Sequence, residues 1–138
     1  MSKLYMSTFT TQIPCELDRH YSLKIVDDGR VAYAYLCETE DVVGDVWLYN
    51  QQEPPQSSFW LPEDMPFLNP KEYLGKEPMI KPIQQETEIR TEWTESKDDG
   101  LIEVGIYIRD KFIASVSVGS KPGWSVLVAK DGPLACVY

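Results

Sequence analysis

Between residues 20 and 50 two chemically different sets of side chains alternate along three successive runs, the period-two pattern of a three-stranded antiparallel meander. Asp28-Gly29 separates the first two runs, and both central positions of a type I′ hairpin need the positive φ that these residue types tolerate. That turn predicts a register in which Val26 pairs with Val31, Lys24 with Tyr33, Ser22 with Tyr35 and His20 with Cys37. Ile25, Leu23 and Tyr21 then meet Ala32, Ala34 and Leu36 on the opposite face. A looser acidic connection over residues 38–42 returns the chain, so that Leu36 and Ala34 meet Val46 and Leu48 while Cys37, Tyr35 and Tyr33 meet Asp45, Trp47 and Tyr49. One face of this meander is aliphatic and small. The other gathers Tyr33, Tyr35, Trp47 and Tyr49, with His20, Ser22, Lys24 and Asp45 among them.

Upstream, residues 4–11 alternate weakly and are rich in Thr and aromatics, which predicts a strand interrupted at Ile13-Pro14 because proline removes a ladder donor. Residues 15–19 are a short connection. Downstream, residues 51–82 hold seven of the ten prolines and leave no window for a stable helix or an interior strand. Phe59, Trp60, Leu61, Met65, Phe67, Leu68, Tyr73, Leu74, Met79 and Ile80 nonetheless carry too much apolar surface to leave in water, at about 25 cal/mol per Å². The segment is therefore expected to pack across a sheet. One short helix is predicted within it, with Asn69 as N-cap, Pro70 at the first position, Glu72 three after the cap and Gly75 as terminator.

After Pro82 the alternation is regular. Residues 83–93 form a strand with one wet face, and Ile102, Val104, Ile106 and Ile108 alternate with Glu103, Gly105, Tyr107 and Arg109. A turn over Arg109, Asp110 and Lys111 pairs Ile106 with Ala114 and Val104 with Val116, keeping apolar residues together; a turn shifted by one residue exchanges the faces. Residues 119–123 make the next turn, residues 124–129 a strand, Asp131-Gly132 a hairpin, and residues 134–138 a last strand with Pro133 at an edge. The sum is an all-β fold of about eight strands, an antiparallel sandwich or a strongly twisted partial barrel, with the Pro-rich aromatic loop of residues 51–82 packed on it. At 138 residues a single domain spanning 1–138 can bury a core without disulfides or a metal.

Composition narrows the chemistry. Three cysteines are too few and too odd in number for a disulfide framework, and Met1 is followed by no apolar leader, so a soluble, cytoplasmic protein is expected. The longest apolar runs fall far short of the ~20 residues of a membrane span. The net charge of −9 is concentrated in the first hundred residues, where 9 basic face 19 acidic side chains. Such a surface disfavours nucleic acid, whose binding draws on Lys and Arg, and favours a basic protein partner.

With His20 the one histidine, imidazole chemistry must pass through it, and the register above sets it against Cys37 with Asp45 across the next strand. That is the ordering of nucleophile, base and orienting acid, without a recognisable oxyanion donor or nucleophile turn. No metal-ligand spacing, phosphate-binding glycine loop or Gly-x-Ser-x-Gly motif occurs, so no metal and no cofactor is expected. The reading that follows is a non-enzymatic binding domain acting through Tyr33, Tyr35, Trp47, Tyr49, His20 and Asp45. Its partner would be a basic protein, such as a toxin neutralised as an immunity protein would. Two rivals are a small-ligand binder with a pocket between sheet and Pro-rich loop, and a small enzyme built on Cys37, His20 and Asp45.

Overall fold

Alternation resolves into nine strands among the described residues. The computed structural model describes residues 8–56, 61, 63, 65–75 and 80–138. One antiparallel sheet runs in the order β1 (Phe9–Pro14), β2 (Tyr21–Asp27), β3 (Val31–Glu38), β4 (Asp41–Asn50). The second runs β5 (Ile89–Glu95), β6 (Ile102–Ile108), β7 (Lys111–Ser117), β8 (Trp124–Ser125), β9 (Cys136–Val137), its last pair parallel. Leu23, Ile25, Ala34, Leu36 and Val46 of the first sheet share one core cluster with Trp93, Val104, Ile106, Ala114 and Val116 of the second. The protein is thus an all-β sandwich and not a closed barrel. No helix among the described residues is long and apolar enough to cross a membrane.

The sheets are stitched together along β4. Its edge bonds to the turn after β7 through Asp45 N–H to the Ser120 carbonyl at 2.9 Å, Gly119 N–H to Val43 at 2.7 Å and Gly123 N–H to Asp45 at 2.7 Å. Trp47 N–H reaches the Leu134 carbonyl at 3.0 Å. Gly44 permits the approach: a Cβ there would stand 2.7 Å from the Ser117 carbonyl oxygen, closer than real Cβ contacts come.

Several sequence expectations are corrected. The first strand is Phe9–Pro14, so Pro14 closes β1 instead of interrupting it, as an edge strand allows; residues 4–7 lie outside the described residues. The β2–β3 register is shifted by two: Val26 pairs with Tyr33, Lys24 with Tyr35 and Ser22 with Cys37. The connection is three residues, because Asp28 accepts the N–H groups of Arg30 and Val31 at 2.8 and 3.1 Å and lengthens the turn, leaving positive φ at Gly29 alone. An even shift preserves both faces. The β3–β4 connection is the tight pair Thr39–Glu40. Two bulges then break the expected pairing: Tyr35 opposes Asp45, Tyr33 opposes Trp47, and Tyr49 opposes Ala32.

Asn69 does not cap a helix; a 3-10 turn covers Lys71–Tyr73, and Asn69 is buried with its backbone bonded to the Asn50 side chain. The strand expected over residues 83–93 begins at Ile89, after a 3-10 turn at Glu86–Glu88. The inner β6–β7 register is as expected, Val104 with Val116 and Ile106 with Ala114. It is reached by a two-residue turn at Arg109-Asp110, with φ of 51° and 66°, plus a bulge. Residues 124–129 yield only the two-residue β8, and residues 134–138 only β9, which lies parallel to β8, so Asp131-Gly132 makes no hairpin.

The second bulge has a structural product. Tyr49 turns to the Ala32 face and is wholly buried, where its hydroxyl donates to Asp27 at 2.7 Å and accepts the Ile83 N–H at 2.9 Å. Asp27, 1% exposed, also accepts from Gln51 Nε2 at 2.7 and 2.8 Å and from Gly29 N–H at 2.9 Å. Tyr49→Phe removes a hydrogen bond to an acidic group and strands the Ile83 donor. It is expected to cost about 3 kcal/mol in urea unfolding, with an unchanged denaturant slope. A loss below about 1 kcal/mol would show that the cluster is dispensable.

Candidate functional site

Bulged pairing sets the chemistry of the meander's outer face. Tyr33, Tyr35, Asp45 and Trp47 share it, but they are not equally available. Trp47 is wholly buried, its indole N–H donating to Asn50 Oδ1 at 2.9 Å. The same Asn50 oxygen accepts the Asn69 N–H at 2.9 Å and its amide donates to the Asn69 carbonyl at 3.0 Å. Tyr33 is buried with its hydroxyl on the Phe67 carbonyl at 2.6 Å, and Arg30 Nη2 reaches the Pro66 carbonyl at 3.0 Å. Side chains of the meander thus satisfy carbonyls of the Pro-rich segment, whose prolines lack backbone donors and whose one bridge among the described residues is Leu74 with Val128. Phe67, Leu68, Leu74 and Ile80 pack against the core, whereas Phe59, Trp60 and Met79 lie outside the described residues.

Where this cover ends, a cleft of about 180 Å³ remains. Tyr33, Tyr35 and Asp45 form its floor, Met65, Pro66 and Phe67 one wall, and Pro133 and Leu134 the other. The two tyrosine rings stack with centroids 6.1 Å apart and planes 16° from parallel. Met65, 62% exposed, stands at the rim.

Asp45 dominates the electrostatics. Its backbone is pinned by Ser120 and Gly123, yet among the described residues its half-buried carboxylate has no hydrogen-bond or ion-pair partner. Burial raises its pKa above the ordinary 3.8, with the positive charge of Lys121 opposing the shift. Burial also raises the Tyr35 hydroxyl, helped by the charges of Asp45 and Asp28, and raises Tyr33. Both phenols therefore stay neutral donors beside the acid.

Of the six residues singled out from the sequence, the structure brings Tyr33, Tyr35 and Asp45 to this cleft. Trp47 lies beneath the cover, Tyr49 belongs to the core, and His20 sits apart. His20 lies in the turn before β2, its ring Nδ1 2.9 Å from Asp18 Oδ1, and Ser22, not His20, faces Cys37. The Cys37 thiol is directed at the Tyr35 carbonyl at 3.8 Å, and burial raises its pKa, away from the thiolate that a nucleophile needs. Cys37, His20 and Asp45 are therefore not assembled as nucleophile, base and orienting acid.

The sequence places a pocket between sheet and Pro-rich loop only as a rival reading and does not assign Met65, Pro66, Phe67, Pro133 or Leu134 to it. Their only signal was the apolar surplus of the Pro-rich segment and the edge proline near the C-terminus. Among the described residues no group of three or more His, Cys, Asp or Glu side chains is arranged to hold a metal ion.

The Asp45 shift has a stability consequence. Folded protein holds this proton more tightly than unfolded chain does, so the group lowers stability once pH rises through the raised pKa, and the penalty is absent below 3.8. Asp45→Asn is accordingly expected to unfold at higher urea than wild type at neutral pH, the gap closing as pH falls from the raised pKa toward 3.8. A variant less stable than wild type at neutral pH would contradict this. Comparison with family models, with characterised proteins and with solved structures returns no match to this chain.

Proposed function

We propose that this protein is a non-enzymatic binding protein whose cleft takes a cationic side chain presented by a basic protein partner. The observation that carries the reading is Asp45, a half-buried carboxylate with no hydrogen bond or ion pair among the described residues, set beside the stacked Tyr33 and Tyr35 rings. A buried charge is costly until it is paired, and an incoming lysine or arginine supplies the missing partner while the tyrosine faces favour its positive charge. Tyr35 keeps a neutral hydroxyl at the mouth, able to accept from the incoming donor.

Size separates this reading from a small-ligand site. Drug- and cofactor-sized ligands fill clefts of about 300–1,000 Å³. A cleft of about 180 Å³ suits the end of one side chain. Met65 at the rim, unbranched and flexible, can adapt to the backbone of whatever presents that side chain. The net charge of −9 adds long-range attraction for a basic partner.

Peptide display against the immobilised protein tests this. Selected peptides are expected to carry a lysine or arginine, and their affinity should fall by about tenfold or more for Asp45→Asn, since a hydrogen bond to a charged group contributes ~1.5–3 kcal/mol. Enriched peptides that lack basic residues, or that bind the variant as well as wild type, would sink the reading.

A further inference from the structure

The outward face of the second sheet holds another acid–aromatic hollow, built by the antiparallel registers of β5, β6, β7 and β8. Across the sheet, Glu92 pairs with Gly105, Gly105 with Ser115, and Ser115 with Trp124. On one side of this row Arg90, Tyr107 and Phe112 are paired in turn; on the other lie Thr94, Glu103 and Ser117. The small residues Gly105 and Ser115 make a dip between larger neighbours. The C-terminal Tyr138, 66% exposed, leans on Phe112 edge-to-face at 4.6 Å. Two adjoining hollows result, of about 180 and about 400 Å³, with Glu103, Ser115 and Tyr138 lining both.

The chain itself holds one guanidinium on this face, against two residues that line the smaller hollow. Arg90 lies 3.9 Å over the Tyr107 ring, and its Nη1 pairs with Glu92 at 2.9 Å while Tyr107 donates to the other oxygen of Glu92 at 2.9 Å. Aromatic face and carboxylate together hold a guanidinium. The larger hollow repeats those parts with Trp124, Tyr138 and Glu103, where the Ser115 hydroxyl donates to one Glu103 oxygen at 2.8 Å and fixes the carboxylate. Among the described residues no cation pairs with Glu103.

We propose that this larger hollow is an arginine-binding site, which takes the guanidinium of an extended segment of a basic protein partner against Trp124 and Tyr138 with Glu103 as counter-ion. Local charge complementarity selects the occupant: Glu103 is the one charged side chain lining the hollow, and Arg90, held by Tyr107 and Glu92 on the same sheet face, is the pattern the second guanidinium repeats. The inference shares with the preceding reading only the sign of the partner's charge. Its residues are separate, since Pro133 and Leu134 wall the Asp45 cleft while Val137 and Tyr138 line this one.

The test titrates isotope-labelled full-length protein with acetyl-Gly-Gly-Arg-Gly-Gly-amide, and with its lysine counterpart, at physiological salt. Saturable NMR shifts are expected at the Gly105 and Ser115 amides and the Trp124 indole, with the lysine peptide binding more weakly because it lacks a planar group to stack. Glu103→Gln and Tyr138→Ala should each weaken the arginine peptide at least fivefold as read from the Gly105, Ser115 and Trp124 signals, whatever shifts the Asp45 cleft shows. Shifts spread over all acidic residues, equal binding by Glu103→Gln, or shifts confined to the Asp45 cleft would overturn the proposal; the last result would leave the first site standing. The dispersed spectrum of each variant shows in the same experiment that it is folded.

Discussion

The rest of the architecture depends on one buried acid. Asp27, at the end of β2, accepts from Tyr49 near the end of β4, from Gln51 where the Pro-rich segment begins, and from Gly29 in the turn that follows it. Tyr49 in turn accepts the N–H of Ile83, where the Pro-rich segment rejoins regular structure. Both ends of an excursion of some thirty residues are thus fixed to a single carboxylate. A segment with seven prolines cannot hold itself in place by a ladder, because it has too few donors. Sheet side chains hold much of it, Asp27 and Tyr49 at its ends and Arg30, Tyr33 and Asn50 along its length, together with a single backbone bridge of Leu74 to Val128. Burial makes these bonds worth having, since each unmade one would leave a polar group without water.

That arrangement explains why the cleft is where it is. The bulge between Ala32 and Tyr33 turns Tyr49 inward to Asp27 while leaving Trp47 on the outer face beneath the cover. The other, between Leu36 and Cys37, keeps Asp45 opposite Tyr35 beyond the end of that cover. Gly44 lets β4 come against the second sheet, and the backbone of Asp45 is then pinned from that side. The backbone of Asp45 is thus fixed, while among the described residues its carboxylate makes no hydrogen bond or ion pair. A protein optimised for stability alone would not retain such a group there.

Period-two alternation made the two faces of the meander legible, and an error of two residues in the hairpin register did not disturb them, because strand faces repeat every two residues. Tyr33 and Tyr35 were therefore placed correctly with Lys24 and Ser22. An odd error would have exchanged the faces, and the bulges are odd steps of that kind. They were not legible, since a bulge is a property of two strands and leaves no mark in the pattern of one. Tyr49 was assigned to the wrong face for that reason. His20 was lost differently, because its register position falls beyond the first residue of β2 once the turn is lengthened. In the Pro-rich segment only the apolar surplus was informative; its path is set by contacts far away in sequence. The parallel pairing of β9 with β8 likewise runs against the local turn signal at Asp131-Gly132.

Charge was the weakest guide at the level of residues and the most useful once pairing was known. Twenty-two acidic side chains say only that the surface is negative. Geometry sorts them by what they already hold. Asp27 is consumed by the fold, Asp18 by His20, Asp28 by Arg30 and the turn, Glu92 by Arg90 and Tyr107, and Glu88 by Arg109. Asp45 and Glu103 differ from these in two ways at once: among the described residues neither forms an ion pair, and each stands beside aromatic rings in a concavity. Aromatic faces alone would suit many ligands, and exposed carboxylates alone are ordinarily just solvated. Their coincidence is chemically narrower, because a ring's negative face and a carboxylate both favour the same positive charge. It occurs on both sheets, and it is the pairing of ring with unpaired acid, more than the total charge, on which the proposal of a basic partner rests.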